Sequence, residues 1–530
     1  MGDISDSVDL SFDGYGSILK GLEGLLGLGL TMTGTTQDKS KAVGIYWNGV
    51  FKYINEFMTP FWIALNSFSA TERDKLVRHT PAENLRDYLE LLQFNIQVAG
   101  RGLNSTARIM NDYHLQELSK AFSAWLNTVF EREGENLSSF AERQARLLER
   151  VVYEYPKAIE AIEPEYGFHF DTAGYHKTGE TERFLLYRVL PRTKASVKTR
   201  GKPILILPPY VLGANILGFL PQEGKSYAHA FADQGIPTYI RILKDIDSTS
   251  AVQSMSGEDD AFDTRYFCEL IKANHSLPVT LNGFCQGGFI AMLDLLSGQL
   301  DGMVDALITC VAPMDGTRSK ALLEYMEHLP DRFRDLGYAV RDLPNGNQVV
   351  DGKVMSWVYK LKSMEKEAPV YTLYRDLMMF DDPSGRDVSI TKTAAALNRW
   401  LLYDRNDIPV AITKMSFDSY TVPVQPDGTL PVKLFGRALN FRQLKEKNIR
   451  YLICYGAGDD LVDRESALAP LDFLDAEVTE FPKGHGAIAT TWSVSSSEYA
   501  IHKRFENGMR GPVRFQLDLD DGMRRKKARG

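Results

Sequence analysis

The sequence has few cysteines, and their spacing excludes two common kinds of site. Its 530 residues include only Cys268, Cys285, Cys310 and Cys454, without the close pairs of a disulfide framework or a metal-binding motif. We therefore expect a reduced, cytosolic environment and no bound metal. Cys310 and Cys454 lie within apolar runs, as small buried residues do. Cys285 is the cysteine whose context indicates reactivity.

The sequence also has no apolar run of the length that a membrane span requires. Residues 21–30 are apolar, but this segment is rich in glycine and shorter than the roughly 20 residues that cross a bilayer. The N-terminus opens with acidic residues and has no positively charged n-region, so it does not predict a secretory signal. We expect a protein without a transmembrane segment.

Positive charge is in the minority. The chain has 61 Lys and Arg residues against 69 Asp and Glu residues, which gives a net charge of -8 and a pI near 5.7. Because binding to phosphates requires a basic surface, nucleic acid is not expected as a partner. The basic tail at residues 524–529 is an exception, and we expect it to be a solvated end.

The length and patterning that are present predict two domains. A chain of 530 residues exceeds what one hydrophobic core usually supports. Residues 44–156 have few glycines and carry apolar residues at three- and four-residue spacings, which is typical of helices. Pro81 begins one such stretch, as proline does in a first helical turn. We expect an α-helical N-terminal domain over residues 1–180 and a catalytic α/β domain over residues 181–530.

After Glu165 the pattern changes to short β-branched or aromatic runs that alternate with helix-like stretches, which is typical of a parallel sheet. The candidate strands are residues 183–190, 203–207, 236–241, 278–283, 305–312, 450–455 and 477–481. Several are apolar throughout, which suits strands that are covered on both faces. Between residues 314 and 447 the alternation stops, and we expect this insertion to form a cap over the active site.

The most specific motif surrounds Cys285. It follows a candidate strand and reads Gly283-x-Cys285-x-Gly287, the nucleophile elbow of an α/β-hydrolase with cysteine where serine is usual. The sharp strand-to-helix turn leaves no room for side chains, which explains the two glycines. A thiolate here would lie at a helix N-terminus, where the dipole and free N–H groups stabilise negative charge. The motif predicts acyl transfer through a thioester.

A cysteine nucleophile needs a base, and the base needs an acid that fixes its tautomer. In α/β-hydrolases these follow the nucleophile in the order acid, then histidine. His485 stands in a glycine-flanked turn after the last candidate strand, and Asp459 follows the strand before it. Asp460 is an alternative acid and Asp463 a weaker one. Capping of the next helix is the competing role for whichever of these is not the acid.

The negative charge that develops on a substrate oxygen needs two N–H donors. The backbone N–H of Gln286, directly after the nucleophile, is the first candidate, and that of Val211, in the loop after an early strand, is the second. We expect the side chain of Gln286 to be solvated. We expect His229 to be structural, because it lies on a helix far from the elbow in the chain.

Together these motifs resemble those of the polyhydroxyalkanoate synthases, whose members carry a Gly-x-Cys-x-Gly box. The resemblance runs from about residue 203 to residue 487, and it includes the segments 208–216, 226–235 and 434–440, the elbow, Asp459 and His485. The size of the N-terminal helical region is similar to that of the long, single-subunit synthases.

The resemblance implies an enzyme that takes (R)-3-hydroxyacyl-CoA, transfers the acyl group to Cys285 with release of CoA, and elongates a polyester. It implies that CoA enters as part of the substrate, without a further cofactor, and that the protein acts in the cytoplasm at the surface of polyester granules. We also expect a homodimer. No motif indicates which residues hold CoA.

Two alternatives stay open at this stage. The first is an intracellular polyester depolymerase or acyl-CoA thioesterase, because the same triad cleaves esters when water reaches the acyl-enzyme. The second is a catalytically inactive, granule-associated scaffold that keeps the fold.

Overall fold

The chain forms two compact units in the computed structural model. The residues that the structure describes are 44–53, 55, 80–192, 202–320, 323, 337–355, 369–381, 389–486, 492, 493 and 497. The first unit is assigned residues 1–162, 325–339 and 353–399, and the second residues 163–324, 340–352 and 400–530. The apolar segment 21–30 and the basic tail 524–529 lie outside the described residues.

Helices dominate the described part of the first unit. Residues 44–53 are helical, and the further α-helices of both units, in chain order, are α1 (Pro81–Val129), α2 (Leu137–Glu149), α3 (Tyr155–Ala161), α4 (Asn215–Gly218), α5 (Tyr227–Ala232), α6 (Ser250–Gln253), α7 (Gly257–His275), α8 (Gln286–Leu296), α9 (Pro369–Phe380), α10 (Lys392–Tyr403), α11 (Val410–Thr421), α12 (Gln443–Glu446) and α13 (Arg464–Ala467).

Helix α1 begins where its sequence dictates. The Thr80 hydroxyl accepts a hydrogen bond from the Glu83 N–H, the Glu83 carboxylate accepts one from the Thr80 N–H, and Pro81 occupies the first turn. This reciprocal cap satisfies backbone donors that a helix start leaves without partners. The prediction of helices over residues 44–156 is confirmed for the part of that range that the structure describes.

The second unit is built on strands. In chain order, the strands are β1 (Tyr175–Glu180), β2 (Phe184–Val189), β3 (Ile204–Leu207), β4 (Thr238–Leu243), β5 (Val279–Phe284), β6 (Val304–Cys310), β7 (Val340–Asp342), β8 (Gln348–Val350), β9 (Ile408–Pro409), β10 (Thr429–Leu434), β11 (Arg437–Asn440), β12 (Arg450–Gly456) and β13 (Glu477–Phe481).

Eight of these strands form one sheet in the order β1-β2-β4-β3-β5-β6-β12-β13. The β1–β2 and β2–β4 pairs are antiparallel, and the pairs from β4 to β13 are parallel. Every residue of β3 and β5 is buried, as expected for strands that are covered on both faces. All seven strands predicted from the sequence are found in this sheet.

The sequence prediction missed the edge strand β1. Its residues are partly or fully exposed along the whole strand, and they include the polar side chains of His176 and Lys177. Because an edge strand without a buried face lacks an apolar run, the pattern that identified the other strands is absent here.

Five short strands fall within residues 314–447, where the sequence pattern was irregular. Strands β7, β8 and β9 form one small antiparallel sheet, and β10 and β11 form another. Residues 353–399 of the same stretch are assigned to the first unit. A cap over the active site stays a prediction, as does a domain boundary at residue 180, although β1, before residue 181, belongs to the large sheet.

The second unit has the α/β-hydrolase fold, as the sequence predicted. The sheet is mostly parallel with an antiparallel edge at its N-terminal side, β3 lies between β4 and β5, and Cys285 occupies the turn from β5 into α8. None of the helices described by the structure is both long enough and apolar enough to span a bilayer.

Candidate active site

Cys285 lies in a backbone conformation that residues with a side chain seldom adopt. Its φ is 50° and its ψ is -125°, and it forms the N-cap of α8. A positive φ at a residue other than glycine is strained and is common at functional turns. The Cys285 N–H donates to the Cys310 carbonyl at 2.8 Å, which ties the turn to the neighbouring strand β6. The residue is only 8% exposed.

The two glycines of the elbow are required by the backbone around them. A Cβ atom on Gly283 would lie 2.3 Å from the Cα of Gly288, and one on Gly287 would lie 2.2 Å from the Leu207 carbonyl oxygen. Backbone atoms cannot move away as a flexible side chain can, so both positions exclude any larger residue. The steric explanation drawn from the sequence is confirmed.

Asp459 and His485 are brought together by the parallel strands β12 and β13, which end side by side. The His485 Nδ1 atom lies 2.8 Å from an Asp459 carboxylate oxygen. The second carboxylate oxygen accepts hydrogen bonds of 2.9 Å from the N–H groups of Leu461 and Val462. Gly456 permits this approach, because a Cβ there would lie 2.5 Å from the Lys483 carbonyl oxygen.

The electrostatics of this pair favour its charged forms. Burial by itself would raise the pKa of Asp459, but the charge and hydrogen bond of His485, together with the two backbone N–H groups, hold it below its usual value. Burial by itself would lower the pKa of His485. The negative charges of Asp459 and then of the Cys285 thiolate outweigh burial and raise the pKa of His485 to about 10.

The other nitrogen of His485 is placed for chemistry with Cys285. The His485 ring centroid lies 5.6 Å from that of Phe284, the residue before the cysteine. Its Nε2 atom is buried, and Cys285 contributes both a charge and a side-chain hydrogen bond to the raised pKa of His485. Nδ1 is occupied by Asp459, so Nε2 is the atom left to exchange a proton with a thiol or a substrate.

The other residues weighed in the sequence lie elsewhere or have other partners. Asp460 is exposed, and the Asp463 carboxylate accepts the Lys320 N–H at 2.8 Å. His229 is buried, with Nδ1 2.7 Å from the Ser226 hydroxyl, and burial lowers the pKa of His229 to about 4. Its position in this hydrogen-bonded helix start agrees with the structural role expected for it.

The loop after β3, residues 208–213, is called the oxyanion loop below. Both the Tyr210 N–H and the Val211 N–H donate to the side-chain oxygen of Gln286, at 3.1 Å and 3.4 Å. The Gln286 amide nitrogen donates to the Ser416 hydroxyl at 2.6 Å. Asn406 also stabilises the loop, because its side-chain amide donates to the Tyr210 carbonyl at 3.1 Å.

These contacts correct the expectation for the Gln286 side chain and add the Tyr210 N–H and the Ser416 hydroxyl to the site. The Gln286 side chain is not solvated, because both of its polar atoms are bonded within the protein. The sequence reasoning missed the Tyr210 N–H as a second donor in the oxyanion loop, and it missed Ser416. Ser416 is 130 residues from Gln286 in the chain, and no local pattern links positions so far apart.

Over the described residues, no group of three or more His, Cys, Asp or Glu side chains could hold a metal ion. The four cysteines all lie in the described part of the chain, where each is buried and none forms a disulfide. The chemistry that these groups can perform is nucleophilic attack by sulfur, with an imidazole to move the proton and a carboxylate to orient the imidazole.

Comparison with known proteins finds no matching family model and no matching curated protein. Three similar solved structures illustrate what is found. A carboxylesterase structure from Nitrososphaera gargenis is 14% identical, with 59% of this chain and 92% of that chain covered and a TM-score of 0.34. A hydrolase from Oleispira antarctica is 14% identical, covering 60% and 100%, with a TM-score of 0.30. An α/β serine hydrolase without a lid from Xanthomonas campestris is 11% identical, covering 59% and 87%, with a TM-score of 0.26.

Proposed function

We propose that this protein is a cysteine-dependent acyltransferase, a polyhydroxyalkanoate synthase that polymerises (R)-3-hydroxyacyl-CoA and releases CoA. The observation that carries the proposal is the arrangement of His485, whose Nδ1 lies 2.8 Å from Asp459 and whose ring also interacts with the Cys285 side chain at the turn from β5 into α8. The sequence resemblance of the segments around these residues supplies the substrate class.

In the first half of the reaction, Cys285 takes the acyl group from CoA. The thiol proton passes to Nε2 of His485, while Asp459 keeps Nδ1 as a donor and stabilises the imidazolium. The Cys285 sulfur attacks the thioester carbonyl carbon, and the carbonyl oxygen carries negative charge until the bond to the CoA sulfur breaks. CoA leaves as a thiol after taking the proton from His485.

In the second half, the acyl group passes from Cys285 to a hydroxyl group, whereas in a hydrolase it would pass to water. His485 removes the proton from the hydroxyl of a 3-hydroxyacyl unit, the hydroxyl oxygen attacks the acyl carbon on Cys285, and the carbon–sulfur bond breaks to regenerate the thiol. One thioester is exchanged for another in the first half, so little free energy is lost before the ester bond forms. Sulfur in place of oxygen at the elbow supports this route over simple hydrolysis.

The experiment uses purified full-length protein and (R)-3-hydroxybutyryl-CoA. We expect loss of the thioester absorbance, an insoluble polyester product and a 3-hydroxybutyryl mass increment on the peptide that contains Cys285. Soluble 3-hydroxybutyrate as the product would instead support a depolymerase or thioesterase. CoA release that is unchanged in Cys285→Ala would support the inactive scaffold. Cys268→Ala, at a buried cysteine outside the site, is the matched control.

The remaining expectations stay predictions. Location in the cytoplasm at a granule surface can be tested by co-sedimentation with polyester particles, and the homodimer by sedimentation velocity with and without the acyl-CoA. We assign no residues to CoA.

A further inference from the structure

The oxyanion loop already has an occupant. The Gln286 side-chain oxygen accepts from the Tyr210 N–H at 3.1 Å and the Val211 N–H at 3.4 Å. Two backbone donors of this loop therefore converge on one carbonyl oxygen. That carbonyl oxygen belongs to the residue next to Cys285, so the site where a substrate carbonyl is expected holds a carbonyl of the protein itself.

The arrangement reproduces what a reacting acyl group needs. An oxyanion site consists of N–H groups directed at one oxygen, one from the residue after the nucleophile and one from the loop after an earlier strand. Gln286 is the first residue of α8, where backbone N–H groups have no partner within the helix. The donors of the site are thus present, but two of them are bonded to a carboxamide.

Ser416 anchors this carboxamide from the opposite side. Its hydroxyl accepts from the Gln286 amide nitrogen at 2.6 Å, and it lies on α11, within the second unit. The glutamine is therefore bonded at both ends of its amide group. An acyl carbonyl that enters the loop must break the contacts to Tyr210 and Val211, and the bond to Ser416 opposes the movement of the side chain.

We propose that Gln286 is an internal occupant of the oxyanion site, held in place by Ser416, and that the substrate acyl carbonyl must displace it before Cys285 can be acylated. The proposal rests on the proposed function in that an acyl group must reach Cys285. Gln286 and Ser416 act here as positioning residues for the loop donors. The competing explanation is that the glutamine supports the loop in its active shape.

Two reagents separate this effect from any change in the thiol. In p-nitrophenyl butyrate, the Cys285 sulfur forms a bond to the carbonyl carbon, the oxygen carries charge in the loop, and the bond to p-nitrophenolate then breaks. In iodoacetamide, the sulfur displaces iodide from a CH₂ group and no oxyanion forms. The acylation rate therefore reports the oxyanion site, and the alkylation rate at Cys285 reports the sulfur and His485.

Three variants test the direction of the effect. Ser416→Ala and Gln286→Met remove bonds that keep the carboxamide in the loop, so we expect acylation about fivefold faster, the equivalent of one hydrogen bond, with unchanged alkylation. Gln286→Glu places a carboxylate against the same N–H donors, so we expect acylation at least about tenfold slower at pH 8.

Thr421→Ala is the matched control. Thr421 is exposed on the same helix as Ser416, and its hydroxyl donates to the Phe417 carbonyl at 3.1 Å. We expect its acylation and alkylation rates to equal those of the wild type. Slower acylation in Ser416→Ala and Gln286→Met, with normal alkylation, would mean that the glutamine supports the loop and would overturn the proposal. Acylation rates equal to that of the wild type in Ser416→Ala, Gln286→Met and Gln286→Glu would overturn the proposal as well.

The ester keeps this test separate from that of the proposed function. Acylation of wild-type Cys285 by the ester but never by (R)-3-hydroxybutyryl-CoA would contradict the synthase function, while the variants would still decide the role of Gln286. Acylation by both, without the expected changes in the variants, would contradict the role of Gln286 alone.

Discussion

Asp459 and Asp294 are two aspartates of the same unit with similar burial and opposite behaviour. They are 7% and 1% exposed. Asp459 accepts bonds from His485, Leu461 and Val462, which hold its pKa below the usual value. Burial raises the pKa of Asp294 to about 6, although the charge of Arg241 acts in the opposite direction. One Asp294 carboxylate oxygen has no hydrogen bond with the described residues.

The difference teaches that the donors around a buried carboxylate, more than its burial, decide the direction in which its pKa shifts. Asp294 lies near the buried Arg241–Asp260 ion pair, and the Arg241 guanidinium interacts electrostatically with both carboxylates. That cluster supports the oxyanion loop, because Arg241 donates to the Tyr210 hydroxyl at 3.2 Å and Tyr210 in turn bonds Asp260. It stabilises the fold around the site, whereas Asp459 is bonded directly to His485.

The largest effect is expected at Cys285, whose thiol exchanges its proton with the His485 that Asp459 orients. Cys285→Ser replaces a thiol by a hydroxyl with a much higher pKa, which depends fully on His485 for activation. We expect turnover of (R)-3-hydroxybutyryl-CoA to fall by at least about 1,000-fold with an unchanged far-UV circular dichroism spectrum. Near-normal turnover would contradict a thiolate mechanism.

The next effect compares the two aspartates directly. Asp459→Asn keeps the shape of the side chain but removes the charge that holds the His485 tautomer, so we expect turnover to fall by at least about 100-fold. Asp294→Asn should change turnover by less than about tenfold. The neighbouring exposed carboxylate supplies the control, Asp460→Asn, and equal losses in Asp459→Asn and Asp460→Asn would contradict the assignment of the acid.

The pH dependence of stability sharpens the same comparison. The folded-state pKa of His485 is raised to about 10 from the ordinary value of 6.5, so its contribution to stability is fully present below pH 6.5 and is lost as the pH rises through 10. We expect the free energy of unfolding of Asp459→Asn to fall furthest below that of the wild type near pH 6. This gap should narrow by pH 10 in urea titrations. A gap that does not vary with pH would contradict the ion pair.

Asp294 should give the smallest effect, with the opposite sign. Its folded-state pKa lies above the unfolded value of about 3.9, so between pH 4 and pH 6 the folded protein binds more protons and the wild type loses stability as the pH rises. Relative to the wild type, Asp294→Asn should therefore gain up to about 3 kcal/mol between pH 4 and pH 7. Asp475→Asn, at an exposed position, should show no such trend.

The sequence predicted the large sheet well because burial on both faces leaves continuous apolar runs. β1 was missed, since it lies at an exposed edge without such a run. The elbow was predictable for a similar reason, because steric demands on Gly283 and Gly287 are local and appear in the sequence.

The rest of the site depends on contacts that the sequence does not encode locally. Asp459 and Asp460 are neighbours of the same type, and only the fold shows which of them turns toward His485. That choice follows from the close approach of the turns after β12 and β13, which Gly456 permits. The bond between Gln286 and Ser416 is a tertiary contact of the same kind.

The crowding around Gly283 and Gly287 also determines where this turn can be engineered. A library that varies either glycine would consist mostly of misfolded clones, because the obstructing atoms belong to the main chain. The Gln286 side chain contacts the Ser416 hydroxyl and two N–H groups of the oxyanion loop. None of these contacts requires a residue without a side chain at this position. Directed evolution of the acyl groups accepted should therefore randomise Gln286 together with Ser416 and leave the glycines fixed.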